Sequence, residues 1–150
     1  TEAIVDLIGA LAYGQLTAFS HLASDAQLAP TLTARAELSR LAVEEFNRFE
    51  VLRSRLESME VAPEVAMEPF VAALDAFHER TAPSSWLESL VKAYVGEGIG
   101  ADFYREVSAH LGPEVHGLVS GVVSDEGQAE FVVREVRAAI EALTSRLELT

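Results

Sequence analysis

Four long stretches of this chain repeat apolar residues every three to four positions, and each repeat is broken near its middle by one polar residue. The first stripe is Ile4, Ile8, Leu11, Gln15, Ala18 and Leu22. The second is Leu38, Leu41, Glu45, Phe49, Leu52 and Leu56. The third runs Leu87, Leu90, Tyr94, Glu97, Ala101 and Tyr104, and the fourth Leu118, Val122, Asp125, Ala129, Val132 and Val136. Helices with one apolar stripe must bury it against each other, so the chain is expected to be all-α.

The punctuation sets the order of the helices. The first is expected over Glu2 to about Ser24, followed by a loop to Thr33. The second runs to about Met59, with Pro30 and the following threonines as its start signal. Pro63, Pro69 and Pro83 break up the next segment, where a short helix fits between about Pro69 and Arg80. Ser85 and Glu88 have capping-box spacing at the start of the third long helix, and Gly112-Pro113 ends it near His110-Leu111. The fourth runs from Pro113 to about Leu147. Two short links and one long one predict an antiparallel four-helix bundle with one long crossover containing a short helix, as a single domain over residues 1–150.

The four interruptions also agree in height. Gln15 and Glu45 each lie about fifteen residues from the first turn, and Glu97 and Asp125 about fourteen from the second, so at about 1.5 Å per residue each pair is level. Arg48 and Gln128 lie one helical turn beyond Glu45 and Asp125, respectively. The layer expected from the stripes is therefore Gln15, Glu45, Glu97 and Asp125, with Arg48 and Gln128 beside it. Buried carboxylates are costly unless they bind a metal, pair with a cation or take up protons.

Composition narrows the function classes. The 150 residues carry a formal net charge of -13, with no basic stripe, which disfavours a nucleic-acid partner and an anionic membrane surface. No cysteine is present, which excludes disulfides and thiolate chemistry and fits a cytoplasmic protein. The start Thr1-Glu2-Ala3-Ile4-Val5-Asp6 lacks the basic opening of a secretory signal, and without eighteen consecutive uncharged apolar residues no membrane span is expected.

The two hairpins read as repeats: Ala12-Tyr13-Gly14-Gln15 resembles Ala93-Tyr94-Val95-Gly96-Glu97, with one extra residue in the second copy. Together with Leu11 to Phe19, Lys92 to Gly96 and Asp102-Phe103-Tyr104-Arg105-Glu106, the layer resembles the ferritin-like di-iron carboxylate superfamily. Within it the chain is most similar to the actinobacterial ferritin-like proteins grouped with the tRNA hydroxylase of 2-methylthio-cis-ribozeatin synthesis, whose members commonly continue with further helical sequence. The resemblance implies a ferritin-like bundle and, at ligand positions, a Glu from the first helix of each hairpin and a Glu-x-x-His from the second.

Glu45 and Glu97 match those positions, and Asp125 matches with a shorter side chain. Gln15 stands where the resemblance implies Glu, and Arg48 and Gln128 stand where it implies His. A guanidinium offers only donors and coordinates no cation. The expectation is thus a vestigial site with no cofactor and no catalytic residue, in a domain acting through homodimerisation or a protein partner. Arg48 would pair with Glu45 and with Glu97 or Asp125, and Gln15 and Gln128 would donate to remaining carboxylate oxygens. Burial and like charge would also hold a proton in the layer. The alternative is a hydroxylase or other oxidoreductase using iron or another divalent ion, including a single Mg, Mn or Ca ion on Glu45, Glu97 and Asp125.

Three further features call for a physical reading. Gly96, Gly98 and Gly100 flank Glu97, and each costs roughly 1 kcal/mol in a helix interior. A π-bulge, a channel to the layer or close helix packing would each explain them. Tyr13, Tyr94, Tyr104 and Trp86 are expected in the core rather than in a radical pathway. His21, His78, His110 and His116 fall off the layer and are expected at the surface or at helix ends.

Overall fold

The computed structural model describes residues 2–123 and 126–149, with residues 126 and 127 as backbone only. It consists of helices α1 (Glu2–Asp25), α2 (Leu32–Ser58), α3 (Pro63–Arg80), α4 (Trp86–Ala109), α5 (Pro113–Val123) and α6 (Glu126–Glu148). A short 3-10 turn, Ala26–Leu28, links α1 to α2. There is no strand among the described residues, and the fold is the expected all-α helical bundle.

The stripes of α1 and α2 pack as their spacing requires. Ile8, Leu11, Gln15 and Leu22 are buried on α1, and all six stripe positions on α2 are buried. One core cluster joins Leu7, Ile8, Leu11, Phe49, Leu52 and Leu56 to Val115, Val119 and Val122 of α5. A second joins Leu22, Leu38 and Leu41 to Trp86, Leu90, Phe131 and Val132 at the α4–α6 end. An Arg134–Glu37 ion pair ties α6 to α2. By length and composition alone the segment Glu2–Leu28 is long and apolar enough to cross a membrane, although it is not uncharged throughout. Part of that apolar character is its buried core face, a property shared by core helices of soluble bundles.

Two caps fix the long helices. Thr31 Oγ1 accepts from the Ala34 N–H at 3.1 Å, and Ser85 Oγ accepts from the Glu88 N–H at 3.1 Å. Glu88 reaches back not to Ser85 but to Ser84, whose N–H and hydroxyl donate to Oε2 at 2.7 and 2.6 Å. Those hydrogen bonds hold the Glu88 carboxyl below its usual range.

The crossover helix is longer than its prolines suggest. Pro63, not Pro69, is the first residue of α3, where its missing N–H costs nothing. Pro69 lies inside the helix on the exposed side, and the carbonyl it leaves unbonded, that of Val65, belongs to a solvent-facing residue. α3 lies directly on α1. A Cβ on Gly9 would stand 2.1 Å from the backbone oxygen of Ala66, so only glycine permits this approach. Further along, the Tyr13 hydroxyl donates to Asp75 Oδ1 at 2.5 Å. Burial and then that carboxylate push the Tyr13 phenol up to about 12.

The expected phase of the third stripe needs correction. Tyr94 is half exposed, whereas Trp86, Ser89 and Leu90 are buried and Ala93 is partly so. α4 thus turns Gly96, Glu97 and Gly100 toward α1 and leaves Tyr94 outside. It is α-helical throughout, without a π-bulge. Among the described residues nothing lies within 4 Å of where a Cβ on Gly96, Gly98 or Gly100 would stand, so packing against those residues does not explain the glycines.

Candidate functional site: the central polar layer and its cavity

α1, α2, α4 and α6 each bring a layer residue to one place. Gln15, Glu45, Glu97 and Gln128 all line a single cavity of about 260 Å³. Much of its remaining wall is apolar or small, with Leu11, Gly14, Ala18 and Leu22 from α1, Leu74 and Phe77 from α3, and Ala93, Gly96, Gly100 and Ala101 from α4, while Thr17, Ser89 and Tyr104 add hydroxyls. Gly96 and Gly100 lie one turn apart on this wall, which is the channel reading of the glycine cluster. Glu97 and Gln128 also line a second cleft of about 420 Å³ on the outer side of α4.

Glu45 is 1 % exposed and so is fully within the bundle. Its Oε1 accepts from Arg48 Nη1 at 2.8 Å, one turn further along α2. The same nitrogen lies 3.6 Å from Glu97 Oε1. Arg48 therefore stands between a carboxylate of the first hairpin and one of the second. Asp125 lies outside the described residues, so the geometry of its expected pairing does too. Among the described residues no three His, Asp or Glu side chains converge as a metal cage requires.

Gln15 lines the cavity together with Glu45 and Glu97. It is 8 % exposed, and its Oε1 faces no donor among the described residues. Sequence spacing put it at the right height but could not orient its amide.

A second polar cluster rims the same cavity about 9 Å along α1 from Gln15. His21 and His78 stack with ring centroids 4.0 Å apart and planes 23° apart, joining α1 to α3. Burial, then the neighbouring Lys92, lowers His21, against a smaller opposing effect of Asp25 and Asp75. Burial, then His21 and Lys92, lowers His78 to about 4. Burial also raises the Asp25 carboxyl and lowers the Lys92 ammonium. His78 lies in the last turn of α3, as expected of a helix-end histidine, whereas His21 is partly buried inside α1, and α3 docking on α1 is what creates the pair. His116 is a further exception, its Nδ1 bonded to the buried Ser108 hydroxyl at 3.1 Å, while His110 does sit at the end of α4.

Four helices with a level polar layer between them define a ferritin-like bundle. A family model described as "Ferritin-like domain, actinomycetes" matches residues 1–149, and the chain belongs to that family. No curated protein matches it.

Proposed function

We propose that this is a ferritin-like domain whose layer is held together by Arg48 instead of iron, and which acts by association rather than catalysis. The position of Arg48 Nη1 between Glu45 and Glu97 carries the reading. A permanently charged guanidinium there supplies the countercharge a metal would supply, and repels a cation brought to the same carboxylates. Gln15 adds no anion, and Gln128 offers an amide where an imidazole would serve as ligand. The residues present do not fit a di-iron pair.

Association is supported by α4. Val91, Val95, Ile99 and Phe103 recur every fourth residue and, with Tyr94, form an exposed apolar stripe; Ile99 is 68 % and Phe103 61 % exposed. A stripe of this kind on a bundle's outer helix suits a second copy of the chain or another helical protein. The alternative reading, a metal-dependent hydroxylase, draws support from the cavity beside the layer, where a substrate would sit. A single divalent ion on Glu45, Glu97 and Asp125 would meet the same repulsion from Arg48.

Anaerobic loading with ferrous iron, followed by gel filtration and metal analysis, separates these readings. Metal-free protein is expected; two retained irons per chain would sink the proposal. Combining Gln15→Glu, Arg48→His and Gln128→His is expected to restore iron binding.

A further inference from the structure

We propose that Lys92 captures carbonyl compounds, its amine forming a reversible imine with a small apolar aldehyde or ketone seated in the cavity between α1, α3 and α4.

Two independent observations meet at this residue. The first is in the sequence. The eleven basic residues are ten arginines and Lys92. Arginine therefore serves nearly every position where the chain carries a positive charge. It cannot serve as an amine nucleophile, because its guanidinium stays protonated, whereas a lysine in an apolar pocket loses its proton more readily. The second is the position. The single lysine lines the cavity of about 260 Å³, on the same wall of α4 as Ala93 and Gly96. Its Nζ lies 5.9 Å from the ring centroid of Phe77, another lining residue. Lys92 makes no hydrogen bond or ion pair among the described residues, is partly exposed, and does not have its Nζ sealed off. A molecule in the cavity can thus reach the nitrogen.

The surroundings suit an uncharged amine. Burial lowers the Lys92 ammonium, against the opposing effect of the Asp25 carboxylate on the same lining. His21 and His78, also on the lining, are both held below their ordinary value, so at neutral pH they are proton acceptors rather than further cations.

The step balances without an oxidant, a reductant or a metal. The amine lone pair attacks the carbonyl carbon, the C=O π pair moves to oxygen, and a nitrogen proton passes to that oxygen to give a carbinolamine. The hydroxyl then takes a second proton and leaves as water while the nitrogen lone pair closes the C=N bond and the nitrogen releases its last proton.

The cavity selects the rest of the molecule. An apolar cavity of about 150 Å³ holds benzene, so this one has room for an aromatic ring on a short chain. Leu22, Leu74, Phe77 and Ala93 give that ring apolar contacts. Among the described residues no atom lies within 4 Å of where a Cβ on Gly96 or Gly100 would stand, so these glycines leave the space open. A neutral carbonyl compound adds no charge to a lining that already carries Asp25, Glu45, Glu97 and Lys92.

The test is reductive trapping. The full chain is incubated at pH 7 with 3-phenylpropanal or propanal and sodium cyanoborohydride, and the alkylated peptides are mapped by mass spectrometry. With one lysine in the chain, the only other amine is the α-amino group, which mapping separates. Lys92 is expected to carry one 3-phenylpropyl group, with half-saturation at least about tenfold below that for propanal, as burial of the ring would give. It should also react about tenfold faster with 3-phenylpropanal than does the side chain of Nα-acetyl-lysine methylamide at the same pH. Gly96→Leu and Gly100→Leu, each checked for helicity, fill the space and should remove the preference for the larger aldehyde.

Equal half-saturation by the two aldehydes, Lys92 reacting no faster than the free lysine derivative, or an unchanged preference in the helical Gly96→Leu and Gly100→Leu variants would each overturn the proposal.

Discussion

Two single residues carry most of what is specific to this bundle. Gly9 sets the distance between α1 and α3, because the next atom beyond its Cα is the Ala66 carbonyl oxygen. Gly9→Ala gains helix propensity but forces two backbones apart, so a net loss of about 1–3 kcal/mol is expected in urea unfolding. Gln15 should behave in the opposite way. Replacing by Leu a buried amide whose oxygen meets no donor among the described residues removes a desolvation cost, and the protein should gain about 1 kcal/mol. A destabilised Gln15→Leu would mean that the amide is bonded after all. The height of Gln15 in the bundle was legible from its stripe, as were those of Glu45 and Glu97, because helical spacing fixes height and face. The Arg48 bridge was legible too, since a cation one turn from Glu45 can reach the same layer. The His21–His78 stack was not, because nothing in either stripe encodes which face of α3 meets α1. A glycine among large apolar residues, Leu7-Ile8-Gly9, was the available signal of that contact.

Among the elements, α2 was the most legible and α4 the least. Every stripe position of α2 is a large side chain or Glu45, and all are buried. α4 dilutes its stripe with glycine and alanine, so its apolar periodicity no longer distinguishes the cavity wall from the outer face, and Tyr94 was placed inward. The start of α3 was misplaced because Pro69 and Pro63 carry the same signal, and only Pro63 begins a helix. α3 also carries the pH dependence. His78 falls to about 4 and His21 also lies below 6.5 in the folded state, so between these values the unfolded chain binds more protons. The contribution of this pair to stability is therefore expected to be constant above about pH 7 and to fall as pH drops from 6.5 toward 4. The groups facing the pair are Lys92, Asp25 and Asp75, and only Lys92 reinforces the effect. Thermal unfolding from pH 8 to pH 5 checks this, with His78→Leu flattening the slope. An unchanged slope in that variant would place the titrating group elsewhere.

At the scale of the whole molecule, two faces remain to be accounted for. The α4 stripe is expected to pair in solution, with Ile99→Glu shifting sedimentation from dimer to monomer while helicity is retained. The final turns of α6 expose Ile140, Leu143 and Leu147 on one side as well. Inside, α1, α2, α4 and α6 each bring a polar residue to one cavity, and on the proposed reading Arg48 supplies there the charge a metal would supply. The class of fold followed from periodicity and loop lengths alone. The proposal that the layer binds no metal rests on the identity of three side chains, Gln15, Arg48 and Gln128, and on where the Arg48 head group points.

That central claim is tested most directly by the iron content of the chain after anaerobic loading and removal of free metal. The account predicts substantially less than one iron per chain, rising toward two when Gln15→Glu, Arg48→His and Gln128→His are combined. Two irons bound to the unaltered chain would contradict it.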